Sequence, residues 1–267
     1  VIDIIEHGAV RELRLARPPA NALSPELMEA LAKTVGAAAE EAEQAPHSSA
    51  WPRRAEGLSA LVLSGAPGMF SAGLDVPYLL TLDRSGIRDM WHSLYSLMRV
   101  LAGSPLPLVA AITGHSPAGG AVLALYCDLR VMTAGDYRIG LNEVRVGLPM
   151  PPVILAAMRR LVGPRLAERL CVGGALISAA EAQRIGLVDE VVPPGEVVER
   201  AVTLAQELAA LPRAAMAETR RRARADLVAL FETATASEVE SLIDSWFGAE
   251  AQTTLRALVE RLAGKRG

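Results

Sequence analysis

The sequence is short of several things, and each shortage excludes a class of protein. Cysteine occurs twice, at Cys127 and Cys171, too seldom for the disulfide frameworks of small secreted domains. Both lie in apolar stretches, which predicts reduced core thiols and a cytoplasmic protein. Neither they nor the four histidines fall at metal-ligand spacing, so no metal is expected. Aromatic residues make up only 4% of the chain. The core is therefore left to Ala, Leu and Val, which suits closely packed helices and a parallel sheet. No apolar run approaches the ~18 residues of a membrane span, and no signal peptide is visible. Positive charge is not in excess: the formal net charge is −3, which gives no electrostatic case for nucleic acid. The G-x-x-x-x-G-K-[ST] loop is absent and "PAGGAVLA" lacks the G-x-G-x-x-G order, so nucleotide-fold readings fail. Ser71 and Ser116 have no G-x-S-x-G frame, which argues against a serine hydrolase.

What is present is apolar bulk. With 267 residues, 51% of them apolar, the chain has enough for one large domain or a domain with an appended subdomain. The N-terminus reads as strands around a turn at His7-Gly8, with Leu13 and Leu15 alternating against Arg14. The loop "RPPANALSPEL" follows, with Ser24 as N-cap and Pro25 at the first helical position of a helix to about Ala45. The polar stretch at 46–57 reads as a surface insertion. Leu58 to Leu63 and Leu106 to Ile112 are short, continuously apolar strands of the buried type. A helix is predicted from about Arg84 to Ala102, and Ser178 with Glu181 forms a capping box. After Pro193-Pro194 the pattern changes from mixed α/β to all-α, with about four helices. We place a boundary there, between an α/β core (1–194) and a C-terminal helical region (195–267).

Both buried strands run into small-residue turns: Ser71-Ala72-Gly73 after the first, Pro117-Ala118-Gly119-Gly120 after the second. Turns this bare let something approach the main chain. Two sets of backbone N–H groups aimed at one point would stabilise a developing oxyanion, but spacing alone does not show that the turns converge. Each is also an ordinary strand-to-helix connection.

Taken in order, "FSAGLD", "ITGHSPAGGAVLALYCDLRVM", "IGLNEVRVGL" and "GPRLAERLCVGGALISAAEAQRIGLVDEVVP" resemble the crotonase superfamily over nearly the whole chain. The resemblance implies a spiral of ββα units with C-terminal helices that build a homotrimer or a hexamer (a dimer of trimers). It also implies acyl-CoA thioesters as substrates, with coenzyme A entering as part of the substrate and no separate cofactor. Carried onto this sequence, the backbone donors fall on Leu74 and Gly119. The adenine-binding segment implicates Ala72 and Asp75, and the "PPANAL" loop puts Ala22 near the coenzyme. Asp75 fits helix capping equally well.

Family hydratases use two glutamates, whereas isomerases that move a double bond from C3 to C2 need one carboxylate. Here the first hydratase position is Val122, and the second is Glu143 in "GLNEVRVG". That stretch and the tail "SWFGAEAQTTLRALVERL" resemble the mitochondrial-type Δ3,Δ2-enoyl-CoA isomerases, so Glu143 is expected to be the single catalytic base. A hydratase or another crotonase-type lyase or hydrolase is the alternative. A non-catalytic CoA-binding scaffold is a third reading. The basic run Arg220 to Arg224 is read as a solvated helix face or a set of subunit salt bridges, not a nucleic-acid site. His115 is read as a turn residue, and Asp128 as a structural or surface residue. The apolar positions Leu242, Ile243, Trp246, Phe247, Leu255, Leu258 and Leu262 in the tail are taken as surface for subunit contact.

Overall fold

The computed structural model describes residues 1–44, 57–233 and 236–264; the predicted insertion, except Gly57, lies outside the described residues. The chain opens with the hairpin β1 (Ile2–His7) and β2 (Val10–Leu15) around Gly8, whose φ of 69° suits a two-residue turn. Helix α1 (Pro25–Gln44) follows, and the Ser24 hydroxyl accepts from the Leu27 N–H as its N-cap. Then come β3 (Ala60–Ser64), β4 (Gly68–Met69), α2 (Val76–Leu79) and α3 (Arg84–Gly103). The next unit is β5 (Leu108–Ile112), β6 (Gly114–Pro117) and α4 (Gly119–Leu125). After it lie β7 (Leu129–Thr133), β8 (Arg138–Gly140), a 3-10 turn at Glu143–Val146, α5 (Pro152–Val162) and α6 (Pro164–Val172). The two-residue strand β9 (Ile177–Ser178), α7 (Ala179–Arg184) and β10 (Glu190–Val192) complete the mixed part. The Ser178 hydroxyl caps α7 by accepting from the Glu181 N–H.

Successive units give one strand to each of two sheets. The larger has the order β1-β2-β3-β5-β7-β10 and the smaller β4-β6-β8-β9. All neighbours pair parallel except β1 with β2 and β8 with β9. This is the α/β spiral of ββα units that the sequence leads one to expect.

The continuous apolar runs of β3 and β5 have a cause in the layering. Along a strand, alternate side chains point to opposite faces. Leu61 and Leu63 face the main core with α1 and α3, while Ala60, Val62, Val109 and Ala111 face a second cluster. Helix α8 (Val197–Ala209) closes that second cluster with Val197, Ala201, Val202, Leu204 and Ala205. With both faces covered, neither set of positions can be polar. Each fully buried Val or Leu contributes about 1.5–3 kcal/mol relative to exposure.

Past residue 194 the described residues form five helices where the sequence suggested about four: α8, α9 (Arg213–Ala223), α10 (Ala225–Thr233), α11 (Ala236–Phe247) and α12 (Ala249–Gly264). Their apolar positions correct the reading of the tail as subunit-contact surface. Leu242, Ile243, Trp246 and Leu255 are buried in this chain's own main core, and Phe247 and Leu262 are exposed.

Candidate active site

The two small-residue turns meet. A Cβ placed on Gly73 would lie 3.0 Å from the Gly119 nitrogen and 3.1 Å from Ala118 Cβ. A Cβ on Gly119 would lie 3.1 Å from Gly73 Cα and 2.8 Å from Leu23 Cδ1. Both glycines are thus required by close backbone approach, and Gly73 also by its φ of +85°. Ala118, at φ 47°, holds a backbone conformation that costs an L residue free energy, a feature common at functional sites.

The direction of the Leu74 N–H follows from its neighbours. Leu23 N donates to Gly73 O at 2.7 Å, and Asp75 N donates to Leu23 O at 3.0 Å. This parallel bridge uses the groups on either side of Leu74 and turns its own N–H away from Leu23. Among the described residues neither the Leu74 nor the Gly119 N–H meets an acceptor. Two unpaired donors on touching turns are what an oxyanion-binding cradle needs.

Glu143 comes to the same corner through β8. Pro117 pairs with Gly140, and Ala118 N donates to Gly140 O at 2.8 Å. Glu143 then starts the 3-10 turn three residues beyond Gly140. That turn is fastened on two sides. Arg145 donates to Gly174 O at 2.6 Å and to Gly173 O at 3.3 Å. Gly147, at φ +77°, lets α12 lie so close that a Cβ would sit 2.9 Å from Ala251 Cα.

Glu143 is partly exposed as a residue, yet its Oε2 is buried and has no hydrogen-bond partner among the described residues. Burial pushes its pKa up to about 7, against the pull of its own backbone N–H. The buried Cys171 thiol lies near enough to feel that charge: burial raises it to about 11, with Glu143 adding to the rise and Arg159 opposing it. A buried carboxylate oxygen with no partner costs stability. A carboxyl held near neutrality is suited to take and return a proton. Val122, the other family carboxylate position, is buried on α4 and cannot transfer a proton.

The coenzyme-contact candidates also come together. Ala72 N donates to Ala20 O at 2.9 Å, so its N–H is used within the chain. Arg17 donates to Ala22 O at 3.1 Å and pairs with Asp75 at 2.5 Å. Asp75 also caps α2 through the Tyr78 N–H. Ala22 and Asp75 are therefore joined by an arginine that sequence reasoning missed, because its partner is 58 positions away, and Ala72 is tied to the same loop through Ala20. Gly73 was quoted in the motif, but its packing on Gly119 has no sequence signal.

Other candidates take structural roles. His115 Nδ1 accepts from the Arg138 N–H, and its ring meets Tyr137 edge-on. The Ser71 hydroxyl donates to Asn21 O. The basic run divides. Arg221 and Arg222 pair with Glu218 on an exposed face. Arg220 and Arg224, contrary to the solvated-face reading, are turned inward onto Asp128. Among the described residues there is no metal-binding cluster, and no helix is long and apolar enough to cross a membrane.

Comparison with known proteins gives the family and the fold. The family model described as enoyl-CoA hydratase/isomerase matches residues 6–265. Mitochondrial enoyl-CoA delta isomerase 1 of Homo sapiens is 29% identical over 261 residues, covering 97% of this chain and 82% of that protein. A putative enoyl-CoA hydratase of Thermus thermophilus is 39% identical over 156 residues, 57% of this chain and 61% of that protein. The crystal structure of human mitochondrial delta3-delta2-enoyl-CoA isomerase superposes with a TM-score of 0.90 at 28% identity, covering 100% of this chain and 99% of that one.

Proposed function

We propose that this chain, which belongs to the enoyl-CoA hydratase/isomerase family, moves a double bond from C3 to C2 of an enoyl-CoA. The observation that supports the reading is the Glu143 carboxyl, raised by burial to a pKa of about 7, on the turn that follows the strand paired with Pro117-Ala118, together with two unpaired backbone donors on touching turns. The thioester oxygen lies between the Leu74 and Gly119 N–H groups, which strengthen their hold as negative charge develops on it. That hold makes the C2 proton acidic enough for Glu143 to remove. The electron pair moves through C2 and C3 to form the conjugated system, and Glu143 returns the proton at C4. No other reactant is consumed. The coenzyme is part of the substrate, with Ala22, Ala72 and Asp75 on the face it crosses. A homotrimer or a dimer of trimers, and a cytoplasmic setting suited to two free buried thiols, belong to the same proposal.

A hydratase is the second reading, favoured by the Thermus thermophilus relative's name. It needs a carboxylate to share the work of adding water, and Val122 stands where the family keeps one. A non-catalytic scaffold would have no use for an unpaired buried carboxyl. The test compares isomerisation of 3-enoyl-CoA with hydration of 2-enoyl-CoA at matched chain lengths. Isomerisation should dominate; hydration much faster than isomerisation would transfer the assignment to the second reading.

A further inference from the structure

Loop 17–23 is stitched to the cradle segment 70–75 more heavily than a surface loop requires. Besides the bridge of Leu23 to Leu74, Asn21 donates to Phe70 O at 3.1 Å, and the Ser71 hydroxyl donates to Asn21 O at 2.7 Å. Asn21 itself sits at φ 50°, buried, with its Oδ1 accepting from the Arg17 N–H. The stitching ends in one ion pair. Arg17 uses one nitrogen on Ala22 O and another on Asp75, whose second oxygen caps α2. The Asp75 side chain is 13% exposed and that of Arg17 28%, so solvent screens the pair only in part.

The pair flanks Leu74 on both sides. Ala22 precedes the bridge residue Leu23, and Asp75 follows Leu74. Releasing the guanidinium would remove the side-chain tie between the loop end at Ala22 and Asp75, leaving the Leu74 segment held by the bridge and by the Asn21 contacts further back. We infer that Arg17 and Asp75 act as positioning residues, whose ion pair fixes the direction of the Leu74 N–H toward the thioester oxygen. The inference rests on the oxyanion-cradle part of the proposed function and not on which proton transfer follows. It assigns Asp75 an indirect role, in place of a contact with the coenzyme.

An oxyanion donor out of line costs turnover more than ground-state binding. Arg17→Met and Asp75→Ala should therefore lower kcat by about 10-fold, the lower part of the range for a displaced catalytic contact, with KM moving by no more than about 2–3-fold. Arg17→Lys, able to reach Asp75 or Ala22 O but not both in a fork, should fall between. The readout that does not depend on turnover is the carbonyl stretch of bound [1-13C]butyryl-CoA. Wild type should shift it to lower frequency, and Arg17→Met should reduce that shift while the dissociation constant for butyryl-CoA holds. Asp75→Asn, which keeps a neutral hydrogen bond and the helix cap, serves if Asp75→Ala fails to fold. A raised KM with unchanged kcat and carbonyl shift would overturn the inference and make the pair a ligand contact. Unchanged parameters throughout would overturn it as well. Absence of any shift in wild type would instead remove the oxyanion cradle itself, while an intact shift without isomerisation would leave the cradle and remove only the assigned reaction.

Discussion

Two half-buried carboxyl groups in this molecule are treated in opposite ways. Around Asp128 every charge is answered. Arg220 donates to both Asp128 oxygens at 3.0 Å, to Leu101 O and Ala102 O at 3.1 Å, and to Ser104 O. Arg224 donates to Tyr126 O, Cys127 O and Asp128. Asp128 also accepts from the Leu108 N–H. Arg220 of α9 and Arg224 just past its end thus close the C-terminal ends of α3 and α4, where unpaired carbonyls and the negative end of each helix favour a cation. Burial lowers the Arg224 pKa, and the charge of Asp128 opposes that. At the other corner, Glu143 has a buried oxygen with no partner and a carboxyl near neutrality. One arrangement fastens the C-terminal helices to the core. The other, in the proposed mechanism, leaves a carboxyl free to move a proton. On that proposal the chain distinguishes a structural charge from a reactive one by whether its hydrogen bonds are filled.

The largest effect should come from removing the reactive charge. Glu143→Gln keeps size and hydrogen bonding but cannot take the C2 proton. Isomerisation of 3-enoyl-CoA should fall by about 10²–10⁴, the range for loss of a general base. Binding of acyl-CoA should persist, because the cradle is backbone. Undiminished turnover in the folded variant would sink the single-base mechanism.

The structural charge answers to a different measurement. Arg220→Met leaves Asp128 still paired with Arg224 but frees the carbonyls at the end of α3. Leaving those buried carbonyls without a partner costs about 1–3 kcal/mol each. Denaturant unfolding should show that loss, while kcat per folded molecule stays near wild type. A fall in kcat without a fall in stability would erase the contrast between the two corners.

Between these lies the cradle. Gly73→Ala places a Cβ 3.0 Å from the Gly119 nitrogen at a φ of +85°. The variant must push one donor away from the other, and we expect turnover to drop by about 10²–10³, as for loss of one oxyanion donor. Wild-type kcat in a folded Gly73→Ala protein would show that the two N–H groups do not act together.

How much of this was legible before the structure depended on how local each feature is. The ββα order, the Ser24 and Ser178 caps and the two bare turns are written in contiguous residues, so the sequence carried them. Glu143 was singled out because "GLNEVRVG" resembles the family order, and the structure adds its buried, unpartnered oxygen. The contact of Gly73 with Gly119, the pairing of Arg17 with Asp75 and the inward turn of Arg220 link residues far apart in the chain. Periodicity carries no trace of them. The tail was misread for a related reason: apolar positions on a helix say that something covers them, but not whether it is a neighbour or the chain itself. Here Trp246 and Leu255 are covered by the chain's own core.

The smallest effect sharpens the comparison most directly, because it reads the cost of the unpaired carboxyl as a function of pH. Burial holds the Glu143 pKa at about 7 in the folded protein, against 4.5 for the free side chain. Between those values the folded state keeps a proton that the unfolded state has released, so stability falls as pH rises through the window. Below about pH 4.5 both states are protonated and the difference vanishes; above about pH 7 both are ionised and the full penalty applies, on the order of 3 kcal/mol at most. Glutamine cannot ionise. Glu143→Gln should therefore match wild type in urea unfolding at pH 4.5 and exceed it at pH 8. Over the same window the kcat/KM of wild type should rise with pH and level off above about 7, because the base works only when ionised. The two curves must cross in opposite directions, activity gained where stability is lost. A wild-type stability that is flat from pH 4.5 to 8 relative to Glu143→Gln would mean that the carboxyl finds a partner in solution, and the contrast with Asp128 would fail.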